Sequence, residues 1–124
     1  MKTFTSVLLV GLVLIGTLQR SQSTTLGSNV VEKCKNLDDG DPTFSKGFCA
    51  GFVSGVMDGI VYMEVRRVKS ISEVRLPYCI PEQVNNGQII AVFVKYLKAN
   101  PEQWHEPAAV LLVDSLSGAF PCHK

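Results

Sequence analysis

His105, His123, Asp58, Asp114, Ser115 and the cysteines Cys34, Cys49, Cys79 and Cys122 are the residues from which a catalytic or metal site would have to be built. Acyl transfer or hydrolysis needs a nucleophile with a base in reach, and that base needs an orienting partner. The sequence does not place such groups together. His123 is the penultimate residue, and His105 stands just ahead of Pro107 at a helix start, where a polar side chain serves as a cap or rim residue. A free catalytic cysteine would leave an odd number to pair. There is no glycine-rich phosphate loop, no nucleophile elbow and no helix carrying metal ligands. The expectation is a protein that is not an enzyme and uses no cofactor or metal.

The cysteines point instead to a compartment. A chain that opens with Lys2, runs through an apolar segment at residues 7–18 and turns polar at Gln19-Arg20-Ser21-Gln22-Ser23 has the order of a secretory signal peptide. That apolar run is too short to span a bilayer, which takes about 20 residues. Cleavage is expected near Ser23, giving residues 1–23 as the signal and residues 24–124 as a single exported domain, not anchored in a membrane. The mature net charge is then −1, because Lys2 and Arg20 leave with the signal, and nothing in that balance suggests nucleic acid. An even number of cysteines in an oxidising compartment reads as two disulfides. Zinc is the weaker reading, since no Cys-x-x-Cys pair occurs.

The elements that must carry these cysteines are organised around residues 48–63, where Gly51, Gly55 and Gly59 recur every fourth residue. On a helix of 3.6 residues per turn they draw a groove along one face. Phe48, Phe52, Val53, Val56, Met57 and Ile60 supply apolar positions at helical spacing, as expected of a helix buried on most of its circumference. Each glycine costs the helix about 1 kcal/mol against alanine, so tight packing must offset the loss. Either this is a central core helix, the reading favoured here, or the groove receives a partner helix from this chain or from a second copy.

In chain order, residues 24–28 read as a loose leader. Asn29 with Glu32 then suggests a capping box opening a short helix, followed by turn-rich Asp38-Asp39-Gly40-Asp41-Pro42. Thr43 or Ser45 can cap the glycine-striped helix, and beyond Met63 the helical pattern fades. The stretch that follows is locally basic, with Arg66, Arg67, Lys69 and Arg75 against Glu64 and Glu73, and reads as a solvated connector or a partner-binding patch. Asn85 and Gln88 form a second capping box for a helix ending near Lys98. A connector through Gln103, Trp104 and His105 leads to a fourth helix bearing Val110, Leu111, Leu112, Leu116 and Ala119. The fold class is all-α, a small bundle of about four helices braced by two disulfides.

With these residues in place a resemblance is apparent. It rests on Phe48-Cys49-Ala50-Gly51-Phe52-Val53-Ser54-Gly55-Val56-Met57-Asp58-Gly59, on Cys79-Ile80-Pro81 with Val84 and Gly87-Gln88, and on Val94-Lys95-Tyr96-Leu97. Asn100-Pro101-Glu102, His105, Pro107-Ala108 and Ala119-Phe120-Pro121-Cys122 continue it. From residue 48 to residue 122 the chain resembles the Rap and Tai immunity families of bacterial type VI secretion systems. The resemblance implies a small, helical, periplasmic protein that dimerises and blocks the active site of a peptidoglycan-cleaving amidase. The segment 64–78 departs from the family pattern, which leaves the cognate toxin open. Other classes considered are a hydrophobic-ligand carrier of the insect odorant-binding sort and a periplasmic acid-stress chaperone.

Three structural expectations follow. Cys34 should pair with Cys49, because the first helix must return to the second across a short loop, and Cys79 with Cys122, because both lie at the open end of a helical hairpin. A two-fold homodimer is implied by the resemblance, with Gly51, Gly55 and Gly59 as one candidate surface. The partner-binding candidates are Arg66, Arg67, Lys69 and Arg75 on one connector and Gln103, Trp104 and His105 on the other. Trp104 either anchors the partner or folds back on the hairpin.

Overall fold

The computed structural model describes residues 24–34 and 44–122. The expected signal at residues 1–23, the expected turn at residues 38–42, the candidate cap Thr43 and His123 lie outside the described residues. The described residues form four helices: α1 (Gly27–Cys34), α2 (Phe44–Arg67), α3 (Asn86–Ala99) and α4 (Ala108–Ala119). Short 3-10 turns at Ile71–Glu73 and Pro101–Gln103 follow α2 and α3. Both expected disulfides are present, Cys34–Cys49 with Cα atoms 5.7 Å apart and Cys79–Cys122 with Cα atoms 4.9 Å apart.

The core is built where α3 and α4 pack together and α1 lies across them. Phe93 and Leu97 from α3, Leu111, Leu112 and Leu116 from α4, and Val30 and Cys34 from α1 are all essentially inaccessible to solvent. Burial of each such large side chain stabilises by about 1.5–3 kcal/mol. The apolar face of α4 is centred on Ala108, Leu111, Leu112 and Leu116, whereas Val110 and Ala119 are exposed.

Helix α3 begins on the expected capping box: the Gln88 amide donates to Asn85 Oδ1 at 3.0 Å, and the Asn85 amide donates to Gln88 Oε1 at 3.0 Å. At its other end Asn100 turns back, its side-chain amide donating to the Tyr96 carbonyl at 2.8 Å. Pro101 then prevents the helix from continuing.

Helix α1 departs from the sequence reading. It starts at Gly27 rather than at an Asn29 cap, and residues 24–28 are not a loose leader. Leu26 forms an antiparallel bridge with Pro107, and the Ala108 amide donates to the Thr25 carbonyl at 2.8 Å. The first N–H groups of α1 find tertiary partners: Gly27 donates to the Glu106 carbonyl at 3.0 Å and Ser28 to the Trp104 carbonyl at 2.9 Å. A helix start satisfied by another segment's carbonyls needs no side-chain cap, so the cap signal misplaces it.

This close approach requires a glycine. A Cβ on Gly27 would lie 2.6 Å from Leu111 Cδ1 and 3.1 Å from the Trp104 Cα. Gly27→Ala should therefore destabilise the domain by about 1–3 kcal/mol through overpacking. Thermal unfolding checks this, and an unchanged midpoint would show that the α1 contact yields freely.

Helix α2 departs twice. It continues past Met63 to Arg67, so Arg66 and Arg67 occupy its last turn, where cations favour the negative helix end. The Arg67 guanidinium also pairs with Glu64 at 2.9 Å. Nor is α2 buried on most of its circumference: of its 24 residues only Cys49 and Val53 are buried. Phe48, Phe52, Val56, Met57 and Ile60 are half-buried against the core on that side. A Cβ placed on Gly47, Gly51, Gly55 or Gly59 would meet nothing within 4 Å among the described residues. The apolar residues that suggested a central core helix thus pack on one side only, and the rest of the helix is surface.

Between α2 and α3, Tyr78 is buried and its hydroxyl has no hydrogen-bond partner among the described residues. Burial pushes its ionisation above the ordinary tyrosine value. Since an unpaired buried polar group costs about 1–3 kcal/mol, Tyr78→Phe should leave stability unchanged or raise it by about 1 kcal/mol. A denaturant titration showing clear destabilisation would reveal a hydrogen bond that the hydroxyl makes in solution.

Candidate partner interface

The chemistry-bearing residues are dispersed. Asp58 and Asp114 are exposed, and His105 is exposed with its Nε2 3.2 Å from Glu106 Oε1. Ser115 is buried, but its hydroxyl donates to the Leu112 carbonyl one turn back at 2.7 Å and has no base beside it. All four cysteines are in disulfides, and among the described residues no group of histidine, cysteine or acidic side chains is placed to hold a metal ion.

What the fold does assemble is surface. At the C-terminal end of α2, Val61, Tyr62, Met63 and Val65 are exposed, and Ile71 in the following 3-10 turn is 80% exposed. Arg66, Arg67, Lys69 and Arg75 stand among them, all exposed. The Arg75 guanidinium donates to the carbonyls of Ser72 and Val74 at 2.9 and 3.0 Å, which holds the turn presenting Ile71. Exposed apolar side chains interleaved with arginine are the composition of an interface core rather than of an ordinary solvated connector.

The second connector behaves differently. The Trp104 indole N–H donates to the Leu97 carbonyl at 2.7 Å, and Gln103 Oε1 accepts from the Tyr96 hydroxyl at 2.8 Å. Both side chains are half-buried and turned back onto α3, so of these three candidates His105 alone is exposed. Trp104 takes the fold-back arrangement, clamping the turn whose carbonyls receive α1.

A third surface is the outward side of α2. At about 100° per residue, Phe44, Gly51, Gly55, Gly59 and Tyr62 fall together, away from the side that carries Cys49 and Val53. Phe44 is 72% exposed and begins a stacked series through Phe48 and Phe52 to buried Phe93, with ring centroids 6.2–6.3 Å apart. The Lys33 ammonium lies 5.6 Å from the Phe44 ring centre and 5.8 Å from that of Phe48, a cation–π pair that ties α1 to α2.

Sequence reasoning found the cations of this surface by their charge but missed Tyr62, Met63 and Ile71. The available signal was phase: Tyr62 falls in line with the glycines, not with the buried positions.

Compared with models of known families, residues 26–122 match that of the Rap1a immunity proteins. The chain belongs to the Rap1a immunity protein family. Searches of curated proteins and of solved structures find no match. The span matched to the Rap1a family opens at Leu26, which pairs with Pro107, and closes at Cys122, which completes the second disulfide. It therefore covers the whole cross-linked unit, including the N-terminal residues that read as a leader. Membership in the Rap1a family gives the chain an immunity role, protection against a toxin.

Proposed function

We propose that this protein is exported to the periplasm, where it binds and occludes a peptidoglycan amidase delivered by a type VI secretion system, with no turnover of its own. The observation that carries the contact is the end of α2, where Met63 and Ile71 are exposed among Arg66, Arg67, Lys69 and Arg75. Occlusion of a cleft needs a projecting element that is anchored, and this one continues a helix tied to the core through Cys49 and Val53. The amidase class rests on the resemblance of residues 48–122, and the periplasm on the signal-like residues 1–23. The test is protection: cells that export the cognate amidase to their own periplasm should survive when they carry this chain. Failure of the parent against every amidase encoded beside it would sink the reading.

The protein acts as a two-fold dimer, with the outward glycine face of α2 as the contact. Small residues let two helix backbones approach closely, and a self-complementary patch is what a two-fold pair requires. Because no described residue lies near Gly55, Gly55→Leu should leave the fold intact and raise helix stability by up to about 1 kcal/mol. The same change should abolish the dimer in sedimentation or light scattering. A Gly55→Leu protein that remains dimeric would remove this face, and a parent that is monomeric at micromolar concentration would remove the dimer itself.

A further inference from the structure

Between α2 and α3, beside Cys34 of α1, lies a groove of about 850 Å³, open to solvent, that the toxin contact does not use. Its floor is Ala50 on α2 and Gly87, Ala91, Val94 and Ala99 along α3, small or apolar groups that leave the space open. The charged residues of its described lining are all cationic: Lys46, Lys95 and Lys98. Lys98 has an interaction of its own, so the argument rests on Lys46 and Lys95.

We propose that this groove binds a long-chain fatty acid, the acyl tail lying along α3 and the carboxylate received by Lys46 and Lys95. Within the described lining the charge is of one sign, and ammonium groups beside an apolar floor select an anion that carries an apolar body. A peptide backbone finds no side-chain hydrogen-bond partner on alanine, glycine and valine, whereas an acyl chain asks for none. The length fits as well: from Lys95 back to Gly87 is about 12 Å at about 1.5 Å per residue. With C–C bonds of about 1.5 Å in a zigzag, about ten carbons of an extended tail fill that span. Ala50 and Arg66 are separated by about 24 Å along α2, so the groove and the basic end are distinct surfaces.

The test is a titration of the protein with a fluorescent polyene fatty acid, followed by displacement with lauric acid. Saturable one-site binding is expected, with lauryl alcohol weaker by about tenfold or more because it lacks the carboxylate. Ala91→Trp, which fills the floor at an exposed helical position, should weaken binding by about tenfold, and so should Lys46→Glu with Lys95→Glu. Circular dichroism melts should confirm that both variants are folded. Absent saturation, equal affinity for the alcohol, or indifference to both variants would each overturn the proposal. Capture of an acidic amphipathic peptide in place of the fatty acid would likewise overturn it and assign the groove to a protein partner.

Discussion

Joint replacement of Cys79 and Cys122 by alanine should cost about 4 kcal/mol, the loop-closure entropy expected of a cross-link that spans 43 residues. The bond joins the segment before α3 to the end of the chain after α4, and the Cys79 amide beside it donates to the Phe120 carbonyl at 2.8 Å. Without it the hairpin keeps its core but loses the clasp at its open end. For Cys34 and Cys49 the separation is 15 residues and the expected entropic loss is about 3 kcal/mol. That pair is buried, so its removal also leaves a small void. In a domain of this size each kcal/mol shifts the thermal midpoint by roughly 4–8 °C, so either double variant should melt well below the parent. Exposure sets the order of reduction: a mild thiol should open Cys79–Cys122 first, followed by mass spectrometry after alkylation. Simultaneous loss of both bonds, or melting like the parent, would contradict this account.

The second large effect is on binding. Met63→Ala with Ile71→Ala, and separately Arg66→Ala with Arg67→Ala, should each weaken toxin binding by about 2 kcal/mol or more, roughly 30-fold. Their own stability should stay within about 0.5 kcal/mol of the parent, because all four side chains are exposed. Trp104→Ala should do the reverse, lowering the melting temperature through the lost contact to Leu97 while leaving affinity intact. Titration calorimetry with the amidase separates these outcomes. If both surface variants bind and protect like the parent, the end of α2 is not the blocking element.

What could be read from the residues and what could not divides along a physical line. The start of α3 was legible because a capping box is local, two side chains exchanging hydrogen bonds across three residues. Both cysteine pairings followed from which helix ends must meet. The start of α1 was not legible, because its partners are the carbonyls of Trp104 and Glu106, far along the chain and without any side-chain signature. Helix α2 misled for a different reason. Apolar residues around a helix say that its surface avoids water, but not whether the shelter is this chain's core or another molecule. Gly51, Gly55 and Gly59 carry the same ambiguity until the space beside them is seen to be open. The candidate site was half visible, its arginines by charge, whereas nothing in the local pattern singled out Met63 and Ile71.

The pairing of α1 with the Trp104 turn sets an order of events. Eight residues make too short a helix to persist alone in water, and the amides of Gly27 and Ser28 have their partners only once Trp104 and Glu106 are in place. Synthesis runs in the opposite direction, so α1 emerges early and waits unfolded for the connector to arrive. A helix made early thus closes late, and its docking marks the chain as complete as far as Pro107.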